Sequence, residues 1–153
     1  MKTRRMTRRD SRVLALRALF CWNVGNMGPA ESFGYLLNEA EQELRIDSGN
    51  IEYARELTET TILRVEEIDE AIDGVSVGWP VSRMPRVDLS ILRLAYAEAV
   101  ILKGAPVEVV LDEAIELAKE FSSHASPKFV NGVLMGIFRK MGWSRDSEKR
   151  YNT

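Results

Sequence analysis

The clearest helical pattern in this chain of 153 residues is PVEVVLDEAIELAKEF, residues 106–121. Its apolar side chains recur every three or four positions, which places them on one face of an α-helix. They are Val107, Val110, Leu111, Ala114, Ala118 and Phe121. Pro106 suits the first turn of this helix, because its missing N–H would have had no partner there. The stretch therefore predicts an amphipathic helix that packs against other helices.

Similar spacing extends in both directions along the chain, and strand-like alternation is scarce. The pattern predicts further helices from Thr7 to about Val24, from Pro29 to Ser48, from about Ile51 to Ile72, from Pro85 to about Leu102 and from Ser126 to Gly142. The apolar face of the first reads Val13, Leu16, Phe20 and Val24, and the second includes Leu44. Thr7 and Ser126 are expected to cap their helices.

These helices predict an all-α fold of about six to seven helices in two small subdomains. One globular domain is expected over residues 1–153, because a chain of this length can bury one sizeable core. The helical halves are expected at about 7–73 and 85–142, joined by the connector GVSVGWPVSRMP at 74–85, with a polar, frayed tail at 144–153.

The composition excludes several classes of function. Cys21 and His124 are the only cysteine and histidine, so neither an internal disulfide nor a Cys/His metal site can form. No apolar run approaches the roughly 20 residues that a membrane helix needs. The sequence contains neither a phosphate-binding loop nor a dinucleotide fingerprint. We therefore expect a cytoplasmic protein that is not an enzyme, with no cofactor and no metal.

Positive charge is concentrated at the N-terminus. Residues 1–17 carry seven Lys or Arg against one Asp, whereas residues 39–73 carry twelve Asp or Glu against three Arg. On a continuous helix, Arg5, Arg8, Arg9 and Arg12 would form one stripe away from the apolar face. Guanidinium groups match phosphate geometry, so the stripe favours RNA or DNA over an anionic membrane surface. A merely solvated basic terminus is the alternative.

Aromatic and small residues offer further candidates for nucleic-acid contact. Phe20 follows the arginines, and Phe129 stands next to Lys128 at the start of the last helix. Both rings can stack on unpaired bases, but helical spacing alone favours two core residues. Gly132 and Gly136 in the last helix indicate either a close helix crossing or close approach of RNA or a partner.

Four stretches together carry a family resemblance: RRDSRVLALRALFCW at 8–22, RVDLSILRLAYAE at 86–98, AIELAKEFS at 114–122 and KFVNGVL at 128–134. In residues, order and spacing they resemble the NusB family of bacterial transcription antitermination factors. The resemblance implies an all-helical, non-enzymatic protein. It also implies binding to the boxA element of nascent ribosomal RNA, together with ribosomal protein NusE, within the antitermination complex on RNA polymerase.

The resemblance also implies roles for particular residues. The arginine-rich start, the first-helix aromatic ring and the opening of the last helix would bind single-stranded boxA-type RNA; with Arg5 from the stripe, this set is Arg5, Arg8, Arg9, Arg12, Phe20, Lys128, Phe129 and Asn131. Asp88 and Arg93 would belong to the surface that NusE engages. Ala125 departs from the family, because some members carry an aspartate there.

Two alternatives remain open from the sequence. The chain would act as a helical adaptor or homodimer if its basic stripe paired with the acidic third helix of a second copy. It would instead be part of a ribosomal RNA cytosine methyltransferase if a catalytic domain followed it, since a NusB-like domain precedes that domain in some of those enzymes.

Overall fold

The computed structural model describes residues 4–25 and 27–145, and this part of the chain contains seven α-helices. They are α1 (Arg8–Asn23), α2 (Pro29–Ala40), α3 (Ser48–Leu63), α4 (Val65–Asp73), α5 (Arg86–Tyr96), α6 (Val107–Phe121) and α7 (Ser126–Lys140). The predicted all-α fold is confirmed. Most of the predicted polar tail lies outside the described residues. Within them, no helix is both long and apolar enough to cross a membrane.

The start of α1 is set by a capping box, as its sequence predicts. The Thr7 side chain accepts from the backbone N–H of Asp10, and Asp10 accepts from the backbone N–H of Thr7. Before the cap, strand β1 (Arg4–Arg5) pairs in parallel with strand β2 (Leu44–Arg45). The predicted second helix is therefore too long. It ends at Ala40, and Leu44 lies in β2 instead.

The long third helix of the sequence prediction is two helices. The chain breaks at Arg64, whose φ of −107° and ψ of 20° lie outside helical values. Within α3, the hydroxyls of Thr58 and Thr61 donate to the carbonyls four residues earlier, at 2.8 and 2.6 Å. Such bonds bend helices by competing for backbone acceptors. The predicted apolar stripe nevertheless continues from α3 into α4, where Ile68 and Ile72 are fully buried.

Helix α5 continues into a π-helical segment, Ala97–Leu102. Lys103 then turns into the left-handed region with a φ of 51° and ends the helix. Segments of this kind are uncommon. Their hydrogen bonds span one residue more than those of an α-helix, which makes the helix wider. The segment contains Glu98, which is only 1% exposed.

Two hydrophobic cores meet at α1. The larger joins α1 and α3 to α4–α7 through residues such as Leu19, Leu57 and Phe138, and the smaller includes Met6 and Phe33. Because α1 contacts α2, α3 and α5, its buried face is broader than predicted. That face comprises Ser11, Arg12, Leu14, Ala15, Leu16, Ala18 and Leu19. Of the predicted face only Leu16 is buried; Val13 is half-buried, and Phe20 and Val24 are exposed.

Candidate nucleic-acid interface

The predicted stripe of four arginines does not form. Arg5 lies on β1 rather than on α1, and its Nη2 is 3.4 Å from a carboxylate oxygen of Asp47. Arg8 and Arg9 are exposed on the first turn of α1, whereas Arg12 is only 6% exposed. The spacing placed Arg8, Arg9 and Arg12 correctly on α1, but it did not reveal the burial of Arg12, because α1 is covered on more than one side.

The guanidinium of Arg12 is bound to Glu98 on the π-helical segment. Its Nε donates to Oε1 and its Nη2 to Oε2, both at 2.8 Å. The phenol of Tyr53 donates to the same carboxylate. Burial raises the pKa of Tyr53 above its ordinary value, and the hydrogen bond to Glu98 raises it further, so the phenol keeps its proton. Buried charges are tolerated when they are paired in this way.

Arg8 is positioned by the same cluster. Its guanidinium carbon lies 3.8 Å from the centroid of the Tyr53 ring, in a cation–π contact. Gly104 passes so close to Tyr53 that a Cβ there would overlap the phenol. The ring is therefore held between Glu98 and the backbone, and it supports an exposed cation.

Arg9 is paired with Glu113 on α6. The Nε and Nη2 of Arg9 donate to the two carboxylate oxygens at 3.0 and 2.9 Å. The hydrogen bond from Arg9 is the main cause that lowers the pKa of Glu113 below its ordinary value. The structure thus brings Glu113 of α6 against the arginines of α1. Because α6 carries several acidic residues, nothing in the sequence singles out Glu113 for this contact.

Phe20 is not a core residue; its side chain is 37% exposed. It lines an open groove of about 330 Å³ between α1, α2, α5 and α6. The other lining residues are Leu16, Arg17, Cys21, Leu36, Glu39, Val87 and Phe121. An exposed ring beside an apolar groove can accept a stacked base.

The start of α7 presents Lys128 at the surface, with Phe129 and Asn131 half-buried. Phe129 packs against the larger core, so part of its ring is covered by the chain itself. A Cβ placed on Gly132 would meet no atom within 4 Å. This glycine therefore leaves open space on the same part of the helix.

Asp88 is buried rather than displayed on the surface that the family resemblance implies. Its carboxylate accepts from the hydroxyl of Ser122, and from that of Ser126 at 2.9 Å. The prediction that Ser126 is the N-cap of α7 is wrong. Ser126 is the first residue of the helix, and Ala125 precedes it at the N-cap position. The signal that sequence analysis missed was the serine-rich loop before α7, whose hydroxyls donate to Asp88. This carboxylate ties the start of α7 to the start of α5.

Arg93 is also mostly enclosed. Its Nε and Nη2 donate to Asp69 at 2.8 and 2.7 Å, and its Nη1 lies 3.4 Å from the side-chain oxygen of Asn23. The side chain borders a polar cavity of about 430 Å³, into which Asp73 and Arg86 also project. Among the residues that the structure describes, the Nδ2 of Asn23 is buried there without a hydrogen-bond partner.

The two predicted parts of the RNA site are connected through the start of α5. Val87 lines the groove of Phe20, and the next residue, Asp88, holds Ser126 at the start of α7. Arg9 and Phe20 are eleven residues apart on α1, or about 16 Å at the usual helical rise. The exposed candidates thus span one extended surface rather than one pocket.

The chain is similar to known proteins over most of its length. The chain matches the NusB family over residues 9–139. It is 39% identical over 140 residues to the transcription antitermination protein NusB of Heliobacterium modesticaldum, which covers 92% of this chain and 66% of that protein. It is 38% identical over 129 residues to the protein of the same name from Desulfitobacterium hafniense strain DSM 10664 / DCB-2, covering 84% and 86%.

A solved structure extends the comparison to a complex. The crystal structure of antitermination factors NusB and NusE in complex with double-stranded RNA contains a chain that is similar to this one, with a TM-score of 0.79 and 29% identity. The match covers 87% of this chain and 96% of that one. The relatives are named for transcription antitermination and not for a reaction, in agreement with the expectation of a protein that is not an enzyme. The chain belongs to the NusB family.

Proposed function

We propose that this chain binds the boxA element of nascent ribosomal RNA together with ribosomal protein NusE, and so supports processive transcription by RNA polymerase. The observation that carries the proposal is the first turn of α1. It displays Arg8 and Arg9 at the surface, with Arg8 held against Tyr53 and Arg9 against Glu113. Because Tyr53 already orients the Arg8 side chain, Arg8 loses less conformational entropy when it binds a phosphate.

The RNA contacts divide by chemistry. Arg5, Arg8, Arg9 and Lys128 neutralise phosphates, since all four side chains are exposed. Phe20 and Phe129 offer aromatic surface to unpaired bases, and the amide of Asn131 donates to or accepts from a base edge. Arg12 contributes indirectly: through Glu98 it fixes the turn that carries the exposed arginines.

The contribution of Asp88 and Arg93 to partner binding is likewise indirect. Both side chains are buried, so they shape the surface that NusE engages by fixing the starts of α5 and α7 and the packing of α4. Joint binding by NusE would convert two weak RNA contacts into one stronger one.

The test is the affinity for a short, single-stranded boxA-like RNA, measured with and without NusE. We expect Arg8→Ala and Lys128→Ala each to weaken binding, and each to reduce the slope of log affinity against log salt by about 0.7. Lys140→Ala is the matched control, because Lys140 is an exposed lysine twelve residues further along α7, about 18 Å away. If Arg8→Ala and Lys128→Ala bind as tightly as Lys140→Ala, the proposed RNA site is wrong.

A further inference from the structure

The contact between Arg9 and Glu113 has the geometry of a phosphate contact. The carboxylate accepts from both Nε and Nη2 of the guanidinium, through hydrogen bonds of 3.0 and 2.9 Å. Arginine binds carboxylate and phosphate oxygens through this same two-point fork. A phosphate that approaches Arg9 therefore finds its preferred edge already occupied.

Glu113 is held in this position from its other side. Its Oε2 lies 3.9 Å from Nη1 of Arg12, whose Nε and Nη2 are bound to Glu98. Glu113 is also partly enclosed, with 18% of its side chain exposed, whereas Arg9 is 57% exposed. Arg9 is the chief cause that lowers the pKa of Glu113, so the carboxylate, ionised at neutral pH in any case, keeps its charge at more acidic pH as well.

The charges at this end of α1 consequently almost cancel. Glu98 balances Arg12 and Glu113 balances Arg9, whereas Arg8 in the first turn contacts the aromatic ring of Tyr53. Arg9 contributes its charge to RNA only when the contact with Glu113 loosens. Exposed ion pairs of this kind are weak, so a phosphate can displace the carboxylate.

We propose that Glu113 is an internal competitor for RNA phosphate at Arg9 and thereby sets the RNA affinity of the site. This inference rests on the proposed function, because it assumes that Arg9 contacts RNA. It assigns to an acidic residue of α6 a role opposite to that of the basic residues around it. Removing the charge of Glu113 strengthens RNA binding, and it does so through Arg9.

A double-mutant cycle tests the proposal with the full chain and the same boxA-like RNA. The variants are Glu113→Gln, Arg9→Ala and the double substitution, with Glu116→Gln as the matched control from the exposed face of α6. We expect Glu113→Gln to raise affinity about two- to five-fold. It should also steepen the salt slope, by at most about 0.7, because Arg9 then engages a phosphate in a larger fraction of the complexes. In the Arg9→Ala background it should change neither quantity, and Glu116→Gln should have a smaller effect.

Three results would overturn the inference. One is weaker binding by Glu113→Gln, which would make Glu113 a positioning residue. Another is an equal gain with and without Arg9, which would indicate only a general change in charge. The third is no RNA binding by any variant or by wild type, which overturns the proposed function as well. Glu113→Ala serves as a second variant, and thermal unfolding identifies any variant that fails to fold.

Discussion

Arg12 belongs to the group of arginines near the N-terminus, but its role is to stabilise the fold. Its side chain and that of Glu98 are both nearly inaccessible, and each satisfies the other through three hydrogen bonds, with Tyr53 adding a fourth to the carboxylate. Taking two charges out of water is costly, and the pair is stable only while both members are present. Arg12 and the exposed Arg8 therefore respond differently to substitution.

We expect Arg12→Ala to lower the free energy of unfolding by about 3–5 kcal/mol, because it leaves the Glu98 carboxylate buried without its cation. Urea unfolding measures the loss. The double variant Arg12→Leu/Glu98→Leu, which removes both charges, should be more stable than Arg12→Ala. A stable Arg12→Ala variant that binds RNA poorly would contradict this account, since it would show that Arg12 contacts RNA directly.

The sequence carried partial information about these residues. Spacing placed Arg8, Arg9 and Arg12 correctly on one helix, and the capping box at Thr7 was readable from two residues. Spacing within one helix does not show which neighbouring helices cover it, so the burial of Arg12 could not be predicted. A usable signal was Glu98, a single carboxylate inside the apolar run 95–102, which requires a buried partner.

At the scale of the elements, α7 contains two glycines in different surroundings. A Cβ on Gly136 would lie 3.3 Å from the Cβ of Val75, whereas a Cβ on Gly132 would meet no atom within 4 Å. The sequence leaves two explanations open for these glycines, a close crossing or close approach of RNA or a partner, and the two residues therefore have to be considered separately. Gly136 accommodates a close contact with Val75 in the turn after α4 rather than with another helix, and Gly132 faces open space among the described residues.

This difference predicts opposite tolerance to alanine. Gly132→Ala should stabilise the protein by up to about 1 kcal/mol, because alanine is the better helix former and nothing obstructs its methyl group. Gly136→Ala should gain less or lose stability, since Val75 must move to admit the methyl group. Thermal unfolding of the two variants beside wild type checks the order. A larger gain for Gly136→Ala would show that Val75 yields freely.

The start of α1 depends on an ionised carboxylate. The hydrogen bond from Arg4 is the largest of the causes that lower the pKa of Asp10 from 3.8 to about 2, and Thr7 contributes as well. Because the pKa is lower in the folded state, the stabilisation from Asp10 is present above pH 3.8 and disappears as the pH falls towards 2.

Asp10→Ala should therefore cost about 1 kcal/mol of unfolding free energy at pH 7, the usual contribution of a helix cap. The difference from wild type should shrink below pH 3.8 and be mostly lost by pH 2. Urea unfolding across this pH range measures it, with Asp112→Ala as a control at an exposed position of α6. A difference that stays constant down to pH 2 would show that the carboxylate charge does not matter at this cap.

The elements that sequence analysis misplaced are those set by distant contacts. Strands β1 and β2 are two residues long, and such a pair has no periodicity to read. At Arg64 the helical conformation of the backbone is interrupted, but the apolar stripe continues. A prediction from periodicity therefore treats α3 and α4 as one helix. The remaining helices were predicted to within a few residues, because each buries a continuous stripe and ends at a glycine, proline or polar turn.

At the scale of the whole molecule, the fold distributes the RNA candidates over one long surface. Helix α1 is shared by both cores, which fixes Arg8 at one end of the helix and Phe20 near the other. Residues separated by about 18 Å, the rise of twelve helical residues, usually contribute independently to a binding free energy. The charged and aromatic contributions should therefore be separable by experiment.

We expect Arg8→Ala to weaken RNA binding and reduce the salt slope, whereas Phe20→Leu should weaken binding by about 1 kcal/mol without changing the slope, because base stacking releases no counterions. The double variant should lose the sum of both free energies. Fluorescence anisotropy titrations at several salt concentrations measure each quantity. Tyr35→Leu is the control, since Tyr35 is an aromatic residue on α2 that is 65% exposed. If Phe20→Leu also reduced the slope, or if the two losses were far from additive, the separation of phosphate and base contacts along α1 would be wrong.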